Sequence, residues 1–210
     1  MSERLRFFNQ DYQPLGIAER EKIHASGEWH ETFHCWLYYR EDGELWLYFQ
    51  QRSATKKDFP NLLDITAAGH ILATETPRQG IRELHEELGV KVSIDTLEFW
   101  QVLPVGIDLP GFHDREFANV YLWQHQLAAG AFYLQESEVQ ALYAIPLKTV
   151  AAVLFEGATA KISGWRQEKG QQTATEMICR KEDFAAQDMT YYRRLLTAFQ
   201  QREEQQTDAD

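Results

Sequence analysis

One helix with clear start and stop signals constrains the fold of this chain more than any other segment. Thr76 stands in position to cap its N-terminus, Pro77 fits the first helical position, and Gln79 at the third completes a capping-box pattern. Gly89 is placed to end the helix, because glycine readily adopts the left-handed backbone that follows a last turn. The sequence therefore predicts a helix over residues 77–88.

The polar face of this helix carries three carboxylates. At 100° per residue, Glu83, Glu86 and Glu87 are i, i+3 and i+4 neighbours, and Arg82 lies four residues before Glu86, where it can hold that carboxylate. The apolar residues fall on the opposite face and are expected to pack on a sheet: Ile81, Leu84 and Leu88. Mg²⁺ prefers oxygen ligands together with substrate phosphates, so the patch predicts a metal site for a phosphorylated ligand. The alternative is a solvated acidic face, and in either case we expect the patch to be exposed.

The overall charge limits the classes of ligand. The chain has 210 residues, with 21 Lys and Arg against 32 Asp and Glu, and a formal net charge of −11. This balance argues against nucleic acid and acidic membranes as partners, so a phosphorylated small molecule must meet local cations. No apolar run is long enough to span a membrane, and the first residues have no signal-peptide core. Cys35 and Cys179 make no disulfide framework, which favours the cytoplasm as a reducing compartment.

Strand signals dominate the rest of the chain. The clearest is a hairpin, in which aromatic, alternating segments at 33–39 and 44–50 flank Asp42 and Gly43. Mixed strands and helices predict an α/β or α+β sandwich. The other predicted elements are strands at 4–8, 96–104, 117–124 and 144–147, helices at 17–25, 147–154 and 181–201, mostly loop at 51–70, and loop or a short helix at 136–142.

The residues around the helix resemble a known motif. Gly69 and Glu75 precede it, and the segment 82–90 reads Arg-Glu-Leu-His-Glu-Glu-Leu-Gly-Val. Together they resemble the Nudix box, except that six residues instead of seven separate Glu75 from Arg82. The six-residue spacer leaves the role of Glu75 open.

This resemblance implies both a fold and a reaction. The fold is a Nudix-type α/β/α sandwich with a mixed sheet, to which this chain adds a C-terminal helix. The cofactor is Mg²⁺ or Mn²⁺, bound by Glu83, Glu86 and Glu87 with help from the Gly69 carbonyl. The activity is metal-dependent hydrolysis of a diphosphate linked to another moiety, a nucleoside diphosphate derivative or a similar organic pyrophosphate, with Glu86, Glu87 and Arg82 in the catalytic machinery.

Segments outside the box resemble the isopentenyl diphosphate isomerase-like branch of the family, over roughly residues 1–145. They lie at 27–30, 33–36, 51–53, 56–60 and 67–70. In the isomerases a cysteine that transfers protons occupies the place of Ala68, and a methyl group has no exchangeable proton. The sequence therefore favours a hydrolase, with isomerase-like activity and a catalytically inactive nucleotide-binding module as the alternatives.

The same resemblance extends to ligand-binding residues. His30 and His70 match two metal ligands of the isomerases and imply a second metal site. Arg52, Lys56 and Lys57 match a basic phosphate-binding segment, for which the alternative is an ordinary solvated loop. The general base is left open among three residues, namely Glu87, Glu116 and Glu138.

The expected organisation is a single Nudix domain over residues 1–205. It comprises an N-terminal strand and helix segment at 1–28, the core at 29–154 and a C-terminal extension at 155–205, followed by a frayed tail at 206–210. The apolar stripe of the predicted C-terminal helix is assigned to core packing, with a homodimer interface as the alternative. The expected partner is a small-molecule diphosphate.

Overall fold

The computed structural model describes residues 3–109, 112–128, 130–185 and 189–207. Within them the backbone forms eleven strands of one mixed sheet and four α-helices. The strands are β1 (Arg4–Phe8), β2 (Pro14–Glu19), β3 (Trp29–Glu41), β4 (Glu44–Arg52), β5 (Leu63–Ile65), β6 (Ala67–His70), β7 (Glu98–Leu109), β8 (Phe112–Gln124), β9 (Val139–Pro146), β10 (Ala160–Glu168) and β11 (Gln171–Cys179). The helices are α1 (Arg20–Ser26), α2 (Arg82–Leu88), α3 (Leu147–Glu156) and α4 (Met189–Thr207), and 3-10 turns lie at Pro77–Ile81, Ile94–Thr96 and Lys181–Asp183.

The predicted hairpin forms the centre of the sheet. Strands β3 and β4 are joined by Asp42 and Gly43, whose φ angles of 50° and 78° are those of a tight hairpin turn. Beyond residue 38 of β3 and residue 47 of β4 the two strands diverge. Strand β6 then pairs with β3 and β5 pairs with β4, so the chain between them fills the gap.

A parallel pair makes the sheet mixed. Strand β8 runs parallel to β3 over ten residue pairs, from Trp29 opposite Arg115 to Tyr38 opposite Gln124. Strand β7 is antiparallel to β8, β9 is antiparallel to β4, and the β10–β11 hairpin extends the sheet beyond β9. Because β3 and β8 advance together, side chains at alternate positions of both strands share one face of the sheet.

Two apolar cores cover the two faces, which gives the sandwich its three layers. Alternation along β3 sends Trp36 to the core beneath α3 and α4, and sends Phe33 and Leu37 to the core beneath α2. The predicted apolar stripe of the C-terminal helix packs in the first of these cores through Tyr191, Tyr192, Leu195, Leu196 and Phe199. The predicted α/β sandwich with a mixed sheet and a C-terminal helix is confirmed.

Several predicted boundaries were wrong. Residues 51–70, predicted as mostly loop, contain β5 and β6, which are three and four residues long and too short for their alternation to be read. Strand β9 begins at residue 139, inside the segment predicted as loop or short helix, and residues 17–19 belong to β2. The C-terminal helix begins at Met189 instead of 181, because Phe184 and Ala185 are held against Leu63 of β5.

The C-terminal extension contains the β10–β11 hairpin as well as α4, and the hairpin is absent from the predicted elements. Helix α4 continues through Thr207, into the segment predicted as a frayed tail, whose last residues, 208–210, lie outside the described ones. Among the described residues, no helix has the length and apolarity that crossing a membrane requires.

Candidate active site

The helix that carries the carboxylates is built as its sequence signals require. The capping box between Thr76 and Gln79 is formed, and Gly89 ends the helix with a φ of 68°. Its first turn is a 3-10 turn over Pro77–Ile81, so the α-helical part is limited to α2. Leu84 and Leu88 are fully buried against the sheet, which orients the polar face towards β6 and the ends of β3 and β4.

Gly69 of β6 allows Glu83 to approach the strand closely. A β-carbon at position 69 would come within 2.8 Å of Glu83 Oε2 and closer still to Oε1. The carboxylate therefore occupies the space that any larger residue would fill. This contact places Glu83 beside the backbone of residue 69, as the predicted metal site requires.

Arg82 holds three carboxylates together. Its Nε donates to Glu75 Oε1 (2.7 Å), and its Nη1 donates to Glu83 Oε1 (2.6 Å) and Glu86 Oε2 (2.7 Å). Its Nη2 also donates to the carbonyl of His70 (2.9 Å). Glu75, whose role the six-residue spacer left open, therefore anchors this arginine, and it also accepts a hydrogen bond from the Leu72 amide (2.9 Å).

The carboxylate patch is mostly buried, so the expected exposure was wrong. Glu83 and Glu87 have 8% and 7% of their surface exposed, and only Glu86 projects into solvent. Burial raises the pKa of Glu83 to about 7 against the opposing charge of Arg82. Burial and then the charge of Glu83 hold the pKa of Glu87 well above its ordinary range. The helical spacing correctly places the three glutamates on one face of the helix, but β6 covers part of that face and buries two of them.

Glu87 is fixed from two directions. Its Oε2 accepts hydrogen bonds from the Ala68 amide (3.1 Å) and from Gln50 Nε2 (3.3 Å). The position at which the isomerases carry a cysteine thus contributes a backbone donor here. Two donors on one oxygen set the orientation of the carboxylate before any ligand arrives.

A second cluster of metal-binding side chains lies beside the first. His24 of α1, His30 of β3 and His70 of β6 have ligand atoms within 4.8 Å of one another, and His30 forms another such group with Asp114 and Glu116 of β8. His24 Nε2 and His70 Nε2 are 3.2 Å apart, and His30 Nε2 lies 3.5 Å from Asp114 Oδ1. The predicted pair of histidines is therefore part of a larger cluster, which adjoins the carboxylate patch because His70 follows Gly69 in β6.

The electrostatics of this cluster suit a cation. Burial lowers the pKa of His30 and, more strongly, that of His70, and burial together with the His30 charge lowers the pKa of His24 to about 4. Neutral imidazoles are the form that binds metals. Burial and the charge of Glu116 raise the pKa of Asp114 to about 8. His30 Nε2 and Asp114 Oδ1 are buried and have no hydrogen-bond partner among the described residues.

The three side chains of the basic segment differ in their contacts. Arg52 Nη1 pairs with Asp64 (2.8 Å), and its Nε donates to the Asp58 carbonyl (3.1 Å). Lys56 forms an ion pair with Glu138. Lys57 is exposed and is not among the residues that line the cavity described next. A strand end and the following turn orient the first two side chains inward and the third outward.

Both clusters open into a cavity of about 890 Å³, a volume that fits a nucleotide-sized ligand. Ten carboxyl side chains line it, against four Arg and Lys side chains. Most of the predicted site residues line this cavity, whereas His30 is fully buried and is not part of the lining. The predicted residues in the lining are Arg52, Lys56, Gly69, His70, Arg82, Glu83, Glu86, Glu87, Glu116 and Glu138.

Sequence reasoning missed several lining residues. Arg20 and His24 come from α1, and His34 and Asp114 come from β3 and β8. A signal existed for the strand residues, because positions 30, 32 and 34 and positions 114 and 116 are polar at period two and therefore share a face. Nothing local in the sequence marks Arg20, whose buried Nε lies 3.7 Å from Glu3 Oε2 and has no hydrogen-bond partner among the described residues.

Comparisons with known proteins show similarity in sequence and in fold. The NUDIX domain model matches residues 28–163. An uncharacterised Nudix hydrolase of Clostridium acetobutylicum is 33% identical over 204 residues, which cover 93% of this chain and 96% of that protein. Nudix hydrolase 3 of Arabidopsis thaliana is 37% identical over 140 residues, which cover 64% of this chain and 18% of that longer protein. A crystal structure of a Deinococcus radiodurans protein shares the fold, with a TM-score of 0.53 and 22% identity over 71% of this chain and 87% of that one.

Proposed function

Because the chain belongs to the Nudix family and is a Nudix hydrolase, we propose that it hydrolyses the diphosphate bond of a nucleoside diphosphate linked to another moiety, or of a similar organic pyrophosphate, with divalent cations. The observation that carries the proposal is the excess of carboxylates in the cavity. A diphosphate cannot enter so negative a site unless cations precede or accompany it. The possible ligands beside Gly69 are oxygen atoms, which suit Mg²⁺ or Mn²⁺.

The residues of the first cluster fit a hard divalent cation. We assign Glu83, Glu86, Glu87 and the Gly69 carbonyl as its ligands, and the close approach of Glu83 to Gly69 supports this assignment. When bound, the cations neutralise diphosphate charge and promote the attack of water on phosphorus. Arg82 acts as a positioning residue, since it fixes two of these carboxylates through one guanidinium nitrogen.

We assign the second cluster, His24, His30, His70, Asp114 and Glu116, to a second cation. His30 Nε2 and Asp114 Oδ1 support this assignment, since these buried atoms face each other at 3.5 Å without a hydrogen bond, which costs free energy. Imidazole ligands favour Mn²⁺ or another transition metal over Mg²⁺. Loss of activity on replacing His30 by Gln, restored by excess Mn²⁺, is the expected result.

The two later candidates for the general base take different roles in this proposal. Glu116 belongs to the second cluster, so its oxygens are engaged there. Glu138 lines the cavity beside Lys56 and has 39% of its side chain exposed, so it can exchange a proton with solvent. We therefore propose Glu138 as the base, and Arg52 and Lys56, the latter paired with Glu138, as diphosphate contacts.

The alternatives receive no support from the comparisons. That the chain is related to the isomerase-like branch of the family stays a prediction. For isomerase activity the chain lacks a proton-transfer group at Ala68, whose backbone amide donates a hydrogen bond to Glu87. We also propose that residues 1–205 form one domain, since side chains of α4 share a core with β3 and β4.

The test is hydrolysis of a panel of nucleoside diphosphate derivatives and prenyl diphosphates with Mg²⁺ or Mn²⁺, with phosphate products measured. Glu86→Gln is expected to lower kcat by roughly 10²-fold or more, because a displaced cation removes several kcal/mol of transition-state stabilisation. Glu21→Gln, at another carboxylate of the cavity lining, is the matched control and should retain activity. Full activity of Glu86→Gln, or of the wild type in excess chelator, contradicts the proposal.

A further inference from the structure

A chain of hydrogen bonds links the C-terminal helix to Glu116 through the sheet. Trp36 Nε1 donates to the hydroxyl of Tyr191 (2.8 Å), and that hydroxyl lies 3.1 Å from His34 Nδ1. His34 Nε2 lies 3.2 Å from both the Thr32 hydroxyl oxygen and Glu116 Oε2, and the Thr32 hydroxyl donates to Glu116 Oε2 (3.3 Å). The contacts therefore run from α4 to a carboxylate that lines the cavity.

The groups at the two ends of this chain set its direction. An indole N–H only donates, so the Tyr191 oxygen is an acceptor towards Trp36. The Tyr191 hydroxyl hydrogen is then free for His34 Nδ1, and a neutral imidazole that accepts at Nδ1 carries its proton on Nε2. At the other end, the Thr32 hydroxyl hydrogen is directed to Glu116, so the Thr32 oxygen and the Glu116 carboxylate both act as acceptors towards His34 Nε2.

Burial protects these hydrogen bonds and so maintains their direction. Trp36 is fully buried, and Tyr191 and His34 each have 2% of their surface exposed, so water does not compete for these hydrogen bonds. Phenylalanine would fill the space of Tyr191 almost as well, so packing alone does not require its hydroxyl. Carboxylates and imidazoles at metal sites depend on such outer hydrogen bonds for their orientation.

We propose that Tyr191 is a positioning residue of the active site, which together with Trp36 fixes His34 as the donor that orients Glu116. This inference rests on the proposed role of Glu116 in the second cation cluster. It makes α4, which lies beyond the matched residues 28–163, a working part of the site.

The adjacent tyrosine of α4 provides a matched control. Tyr192 is also fully buried, and its hydroxyl has no hydrogen-bond partner among the described residues. Tyr191→Phe and Tyr192→Phe thus remove the same atom from neighbouring buried positions, and only the first interrupts the chain. Tyr191→Phe is expected to lower kcat about 10-fold with KM unchanged and to weaken Mn²⁺ affinity about 10-fold, the lower end of the effects seen at such positions. Tyr192→Phe is expected to leave all three values unchanged.

The tautomer of His34 gives a readout that needs no activity. In the full chain with ¹⁵N-labelled histidine, two-bond proton–nitrogen correlations should place the His34 proton on Nε2, and Tyr191→Phe should shift the Nδ1 resonance while Tyr192→Phe does not. Trp36→Phe, which interrupts the chain one step earlier, should shift the same resonance and replaces Tyr191→Phe if that variant does not fold. A wild-type proton on Nδ1, or equal kcat and Mn²⁺ affinity in the two tyrosine variants, overturns the inference. Wild-type hydrolysis tests the proposed function separately, and Mn²⁺ affinity and the resonances decide this inference even if no substrate is turned over.

Discussion

Replacing Glu83 by Gln should stabilise the metal-free protein while abolishing its function. Glutamine keeps the shape of the side chain and an oxygen that accepts from Arg82, but removes a buried negative charge. That charge is unfavourable in the absence of a cation, since burial raises the pKa of Glu83 from 4.5 to about 7. The active site is therefore a place where the chain gives up stability for ligand binding.

The magnitude follows from the displaced pKa. A tenfold change in the acid dissociation constant is worth about 1.36 kcal/mol, so the rise to about 7 corresponds to roughly 3 kcal/mol at full ionisation. A carboxyl whose pKa is higher in the folded state holds its proton there while the unfolded chain has released it. The wild type therefore loses this stability as the pH rises from about 4.5 to 7, and the loss is complete above that range.

The assay is thermal unfolding in chelator at pH 5 and pH 8. At pH 5 the Glu83→Gln variant should match the wild type, and at pH 8 its Tm should be higher by roughly 6–12 °C, at about 2–4 °C per kcal/mol for a chain of this size. Added Mg²⁺ should raise the Tm of the wild type more than that of the variant, which lacks a ligand of the first cluster. Glu86→Gln is the control: it removes the same charge from an exposed position on the same helix, and it should not raise the Tm at pH 8.

Two results would refute this reasoning. A lower Tm for Glu83→Gln at pH 8 in chelator would mean that the ion pair with Arg82 outweighs the cost of burial. An equal difference at both pH values would mean that Glu83 is already ionised at pH 5. In either case the buried carboxylate would not be the source of the predicted instability.

The remaining predictions concern individual positions in the cavity. Lys56→Ala should raise KM with less change in kcat, because it removes a cation from the lining, whereas Lys57→Ala, outside the cavity, should leave both unchanged; equal effects of the two would contradict the site. Gly69→Ala should lower Mg²⁺ affinity at least tenfold, measured by calorimetry, since its methyl group must displace Glu83; unaltered affinity would remove Gly69 from the site. With isopentenyl diphosphate in heavy water we expect no deuterium incorporation by NMR, because Ala68 cannot transfer a proton, and turnover into the dimethylallyl isomer would restore the isomerase alternative.

The local signals in the sequence determined the carboxylate helix and the central hairpin. Thr76 and Gly89 set the ends of the helical segment, and the spacing of its glutamates places them on one face wherever the helix packs. Asp42 and Gly43 similarly specify a tight turn between two alternating strands. These features are short-range, because they depend on residues within a few positions of one another, and a single sequence displays them directly.

Only the tertiary structure decided how these elements meet. The burial of Glu83 and Glu87 depends on β6, and β6 exists as a strand because β3 and β4 diverge and leave their edges to be paired. The second cluster joins side chains from α1, β3, β6 and β8, and His34 reaches Tyr191 across 157 positions of the sequence. Pairing between distant strands and the packing of α4 are set by the whole core, so no local pattern carries them. The same long-range packing raises the pKa of a glutamate that its own helix would have left in water.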